Sequence, residues 1–237
     1  MSEKNFDIFL EFNYSKLNLA AFNKINGKLE YYKVVDYSSF FHSNDELNFE
    51  KLHKLVEENI IEIEKSIGEF VRDVYLIIET PENMSIKFSV KKNYDGKKIS
   101  KDDAMYLIQD AKQQILKSNI DYKIVHIIVE KYILNNIDYK FLPTDKKSDN
   151  FSIDINFICF PKDLISSFEK LFFKQQISIN RFICSNYLKK LDFFNNDNKI
   201  CVHAKNVIDG KNKQEVAIIQ KNRKKTGFFE KLFHLFK

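Results

Sequence analysis

The sequence predicts a mixed α/β protein with α+β character: one sheet-and-helix subdomain, a second module inserted into it, and an amphipathic helix at the C-terminus. Three observations predict this. Short apolar runs separated by turn residues open the chain, a helix-period run follows them, and two stretches near the middle alternate apolar and polar residues. Hydrophobic residues make up 44% of the 237 and aromatics 14%, ample material for a sizeable core.

Residues 7–13 and 17–25 read as two strands, and Asn26-Gly27 then supplies a hairpin turn into a third, 28–37. A helix comes next: Phe49, Leu52, Leu55, Val56, Ile60, Ile63 and Ile67 recur at helical spacing, and Gly68 is placed to stop it. The apolar run from Val74 to Ile78 completes a βββαβ unit.

Residues 81–178 read as the insert. A short strand at 86–91 leads to an Asp95-Gly96 turn. Ser100, with Asp103 three residues on, opens a helix carrying Ala104, Leu107, Ile108, Ala111 and Ile115 on one face. Alternating strands follow around Val125–Ile133 and Phe151–Cys159, with residues 143–150 as a polar loop between them and a closing helix at 163–174. The order is strand, helix, strand, strand. The first subdomain is then residues 1–80 plus 179–193, residues 194–220 are linker and short elements, and 221–237 form a basic amphipathic tail.

That tail ends in GFFEKLFHLFK. At about 100° per residue, Phe228, Phe229, Leu232, Phe233, Leu235 and Phe236 share one face. Lys221, Arg223, Lys224 and Lys225 lie directly upstream. From Lys211 onward eight basic residues face Glu215 and Glu230, a net +6, so the remainder of a chain of charge +5 carries −1. Aromatic and Leu side chains on one face with cations beside them are what an in-plane membrane helix needs, since each such cation near an anionic leaflet contributes about 1 kcal/mol. Docking of this helix on the protein's own core, or on a groove of a partner, stays open; nucleic-acid binding leaves the four Phe unexplained, so no nucleic-acid partner is expected.

Catalytic chemistry is sparse. The five His, at 42, 53, 126, 203 and 234, show no ligand spacing with each other or with Cys159, Cys184 and Cys201, so no metal site is expected. His126 falls on the more polar face of its strand and reads as structural. No Gly-rich phosphate motif occurs, and five Gly in all leave little loop backbone able to approach a polyphosphate. Neither an enzyme nor a cofactor is expected. The chain opens polar and charged, without a signal-peptide pattern, and no apolar run approaches the roughly 20 residues that span a bilayer. The three Cys read as reduced thiols of a cytoplasmic protein.

Taken in order, these parts resemble FtsA, the actin-like bacterial cell-division family that ties FtsZ filaments to the membrane. The opening hairpin, with Ser15-Lys16 at its turn and Asn26-Gly27 after the second strand, matches in layout. NFEKLHKLVEENIIEIEKSIGEFVRDVYLII, residues 48–78, is similar to the family's first long helix and following strand. KKISKDDAMYLIQDAKQQI (97–115) and IVHIIVEKYILNNID (124–138) resemble the helix and the His-containing strand of its inserted strand-helix-strand-strand (SHS2, 1C-like) subdomain, and the tail resembles its membrane-targeting helix. The resemblance implies an actin-like (1A-like) first subdomain, protein–protein contacts through the insert with division proteins such as FtsZ or FtsA-like protomers, and a peripheral position on the cytoplasmic membrane's inner face.

The departures are informative. Members of that family are nearly twice this long, and the second half of the actin-like core, due near Asn195, is missing with its phosphate loop and adenosine site. The family's first phosphate loop, an Asp-x-Gly-Thr type turn, reads Glu11-Phe12-Asn13-Tyr14 here, followed by Ser15 and Lys16. Asn13 adds a Cβ where backbone must approach phosphate, and Tyr14 is bulky where a small hydroxyl belongs. The expectation is a degenerate loop that binds no ATP. The alternatives are a soluble adaptor whose C-terminal helix docks on a partner, and an ATP-binding actin-like protein completed by a second chain.

Overall fold

The structure, a computed structural model, describes residues 5–37, 49–144, 146–191 and 199–216. Its elements run β1 (Phe6–Phe12), β2 (Lys16–Asn23), β3 (Leu29–Asp36), α1 (Phe49–Ile67), β4 (Asp73–Ile78), β5 (Met84–Lys98), α2 (Lys101–Ser118), β6 (Tyr122–Leu134), β7 (Ile137–Tyr139), β8 (Lys147–Pro161), α3 (Lys162–Phe173), β9 (Ser178–Cys184), α4 (Ser185–Leu188) and α5 (Ile200–Ile208).

Two sheets result. The first has the order β3-β2-β1-β4-β9, with β1, β2 and β3 as an antiparallel meander and β1, β4 and β9 parallel. β1 and β4 are apolar nearly throughout, as strands covered on both faces must be. On one face Phe12 packs against Phe168 of α3, ring centroids 5.0 Å apart, and Phe168 against Phe49 of α1. Residues two apart along a strand share a face. Asp7, Phe9 and Glu11 therefore look the other way, where Lys205 of α5 pairs with Asp7 at 3.6 Å. α1 ends where the periodicity does: the Gly68 amide donates to the Glu64 carbonyl at 2.9 Å with Gly68 at φ +73°.

The second sheet, β5-β8-β6-β7, is antiparallel. Helix α2 lays Ala104, Leu107, Ile108, Ala111 and Ile115 into a core with Phe151, Ile153, Ile155 and Phe157 of β8. The opposite face is polar. There Ser89 donates to Asp154 at 2.5 Å and Lys87 pairs with Glu130 at 3.0 Å.

Several boundaries differ from the sequence reading. Asp95-Gly96 does not end β5: it is a bulge with φ +51° and +76°, and pairing with β8 resumes at Lys97. β8 begins at Lys147, inside the stretch read as loop, and β7 is an added short strand. The hairpin loop before β3 is wider than two residues, because Asn23 Oδ1 accepts the amides of Ile25 and Asn26 and closes it early. α3 was placed with the insert by sequence order, yet Ile165, Phe168, Leu171 and Phe172 belong to the first core. α5, in the stretch read as linker and short elements, is a helix that packs Ile200, Cys201, Ala204 and Val207 into that same core. Both corrections have one cause: a helix's place in sequence says nothing about which sheet its apolar stripe covers.

Candidate functional site

The β1–β2 turn is the first candidate. Glu11 is the last odd-numbered residue of β1, and its side chain is buried, 3% exposed. Its Oε2 accepts from Asn18 Nδ2 at 2.5 Å and its Oε1 from the Ser185 hydroxyl at 3.2 Å. Burial raises its pKa above the ordinary carboxylate value, against the lowering effects of Asn18, Ser185 and the Lys189 charge. Nearby, Lys189 pairs with Glu79 at 2.6 Å.

The turn itself is closed by its own side chain. Asn13 Oδ1 accepts the amides of Ser15 at 3.0 Å and Lys16 at 2.7 Å, and the Asn13 amide donates to the Lys16 carbonyl at 3.1 Å. The Tyr37 hydroxyl donates to the Asn13 carbonyl, and the Tyr37 amide to the Ser15 carbonyl at 2.7 Å. Tyr14 is half exposed and Lys16 is exposed. The structure thus brings Glu11, Asn13 and Ser15 together around one turn. A phosphate arriving there would find the Ser15 and Lys16 amides occupied and two carboxylates, Glu11 and Glu79, for neighbours.

A second cluster was missed by sequence reasoning. Residues 214–216 lie antiparallel along β6: the Val129 amide donates to the Gln214 carbonyl at 2.8 Å and the Val216 amide to the Ile127 carbonyl at 2.9 Å, with Glu215 opposite Ile128. Glu215's side chain, 4% exposed, meets His126 Nδ1 at 2.7 Å and the Arg181 guanidinium through Oε1, and accepts from the Tyr187 hydroxyl at 2.8 Å through Oε2. His126 Nε2 accepts the Cys184 amide at 2.9 Å. That bond fixes the tautomer: the ring proton sits on Nδ1 and is donated to Glu215. Burial lowers the His126 pKa, against Glu215's raising effect, so the ring is neutral. Burial would raise Glu215's own pKa, but His126, the Arg181 charge and Tyr187 together hold it below the ordinary value.

His126 therefore does not sit on a polar face. It is wholly buried, because β6 carries an extra residue against β8 between Ile124 and His126. The bulge sends Val125 into the first core and Ile127 into the second. One sequence signal pointed here: Arg181 is one of three Arg in a chain otherwise reliant on Lys, the choice a buried carboxylate favours.

Lys221, Arg223, Lys224, Lys225, Phe228, Phe229, Leu232, Phe233, Leu235 and Phe236 lie outside the described residues, as do His42, Asn48, Asn195 and His234. Among the described residues no group of three or more His, Cys, Asp or Glu is arranged to hold a metal ion, and no helix is long and apolar enough to cross a membrane.

No protein-family model matches the chain, and no curated protein matches it. It is similar to a chain of the PilM-PilN type IV pilus biogenesis complex, at 9% identity over 77% of this chain and 48% of that one, TM-score 0.46. It is also similar to the cytoplasmic domain of EpsL, an inner membrane component of the type II secretion system of Vibrio cholerae, at 11% identity over 77% and 57%, TM-score 0.33. A third, a Bacteroides thetaiotaomicron protein with an actin-like ATPase fold and unknown function, is 12% identical over 78% and 54%, TM-score 0.34. The chain spans about half the length of these solved chains. Likenesses this distant carry no argument about what the chain does.

Proposed function

We propose that this chain is a non-catalytic, membrane-associated scaffold of FtsA-like, actin-like design, peripheral on the cytoplasmic face of the membrane and meeting division proteins through its inserted sheet. The observation that carries the reading is the tail: four Phe and two Leu on one helical face, directly after Lys221, Arg223, Lys224 and Lys225. A helix of under three turns does not hold its shape alone in water, so the bilayer would be both its ligand and the surface it folds on. Two features of the first sheet support the rest. A meander leading into parallel β1, β4 and β9 is the arrangement expected of an actin-like subdomain carrying an insert after β4. The β1–β2 turn, with Asn13 taking its own amides and Glu11 buried against Ser185, supports a loop without nucleotide.

The test is sedimentation of the full chain with anionic liposomes. The wild type pellets with vesicles, and the double variant Phe229→Glu, Phe233→Glu stays in the supernatant. Wild type left in solution removes the membrane reading and leaves the Phe-rich helix for a protein partner; a variant that still pellets with the vesicles removes the tail as the anchor.

A further inference from the structure

The Glu215 cluster has no part in the reading above, and its position is unusual. α5 belongs to the first core, Val216 packs against the second, and the few residues between them cross from one to the other. Midway, Glu215 gathers a side chain from each side: His126 from β6 of the second sheet, Arg181 from β9 and Tyr187 from α4 of the first. Asn212 Nδ2 donates to the same Tyr187 hydroxyl at 2.6 Å, so the segment holds Tyr187 at two points. Outside this cluster the Arg181 guanidinium also reaches the Val125 carbonyl at 3.4 Å.

The contacts are interdependent. Glu215 accepts the hydrogen bond from His126 Nδ1–H, which leaves Nε2 free to accept the Cys184 amide at the end of β9. Without the carboxylate, the ring loses what fixes its tautomer, and Arg181, 14% exposed at its side chain, loses its counter-charge. A buried ion pair is costly to break because the survivor is left uncompensated. The three-residue ladder on β6 cannot outweigh that loss by itself.

We propose that residues 212–216 are a latch: the Glu215 carboxylate, seated among His126, Arg181 and Tyr187, fastens the inserted sheet to the end of β9 and α4, and withdrawing it opens that junction while both cores stay folded. In sequence the tail at 221–237 begins five residues after Val216, so the junction and the tail are near neighbours along the chain. The latch is independent of what holds the tail.

Amide hydrogen exchange on the full-length protein tests this. In Glu215→Gln, exchange at the Cys184 and Val129 amides rises on the order of tenfold, with Leu10 and Leu76 of the first core unchanged. Val216→Pro removes the ladder bond to Ile127 and leaves the carboxylate in place; Val129 should lose protection while Cys184, held through the seated carboxylate, keeps most of its own. Wild-type protection of Cys184 in Glu215→Gln overturns the latch, and so does a loss at Cys184 in Val216→Pro equal to that in Glu215→Gln, which would make the ladder the fastening. So does an equal rise at Leu10 and Leu76, which would make the segment part of one global core.

Discussion

At the scale of single residues, His126 makes the most specific demand on solution conditions. It is buried and neutral, facing Glu215 from the 212–216 segment, Arg181 from β9 and Tyr187 from α4. Its folded pKa lies below the ordinary value of 6.5 because burial opposes the charged ring. Below that pH the unfolded chain takes up a proton that the folded ring refuses, so the contribution of His126 is complete above about pH 6.5 and shrinks as the pH falls. Glu215, whose folded pKa is below 4.5, adds a further loss of the same sign at lower pH. The urea midpoint should therefore stay level from pH 8 to 7 and fall from about 6.5 to 5. His126→Gln should be less stable than wild type at pH 8, since its amide fills the ring's place imperfectly, and should show a shallower fall. An unchanged slope in His126→Gln would mean that the acid sensitivity comes from other groups.

At the scale of elements, what could be read from the sequence is what is local. The α2 cap is the clearest case. Ser100 Oγ accepts the Asp103 amide at 3.2 Å, and Asp103 Oδ2 accepts the Ser100 amide at 2.9 Å, the reciprocal box that Ser100 and Asp103 suggest by spacing alone. Tyr94 adds a bond to Asp103 Oδ1 at 2.9 Å. Ser100→Ala should cost about 1 kcal/mol, measured as a drop in urea midpoint with the slope unchanged; no drop would show that Asp103 and Tyr94 hold the helix start without the hydroxyl. The buried stripe of α1 and the alternation of β8 were equally visible, because each is a period of one element. What was not visible depends on distant partners. β5 continues through Asp95-Gly96 because β8 is there to pair with it beyond the bulge. α3 joins the first core because Phe12 and Phe49 await Phe168. His126 and Glu215 lie 89 residues apart, and neither marks the other in sequence. At the β1–β2 turn the odd residues were legible, but not that Asn13 would spend its side chain on the turn's own amides.

At the scale of the whole molecule, the two cores are joined by strands that serve both. β8 gives Phe157 to the second core and Phe160, three residues on, to the first; β6 gives Val125 to the first and Ile127 to the second. Melting the insert alone would require β6 and β8 to stay ordered over half their length while the other half loses its ladder. Apolar side chains of both cores would be exposed at the break. Because both strands carry side chains of both cores, the chain should unfold as one cooperative unit even though the latch opens locally. The chain has no Trp, so a single one reports cleanly on its surroundings. Tyr75→Trp places the probe beside Phe9 in the first core, and Tyr132→Trp beside Phe151 in the second. Within each variant, Trp fluorescence and far-UV circular dichroism should trace the same urea transition. If the Tyr132→Trp signal is lost at lower urea than half the helical signal, the insert is an independent folding unit. The shared strands would then be a seam, and withdrawal of Glu215 would release a whole module where the latch predicts only an open junction.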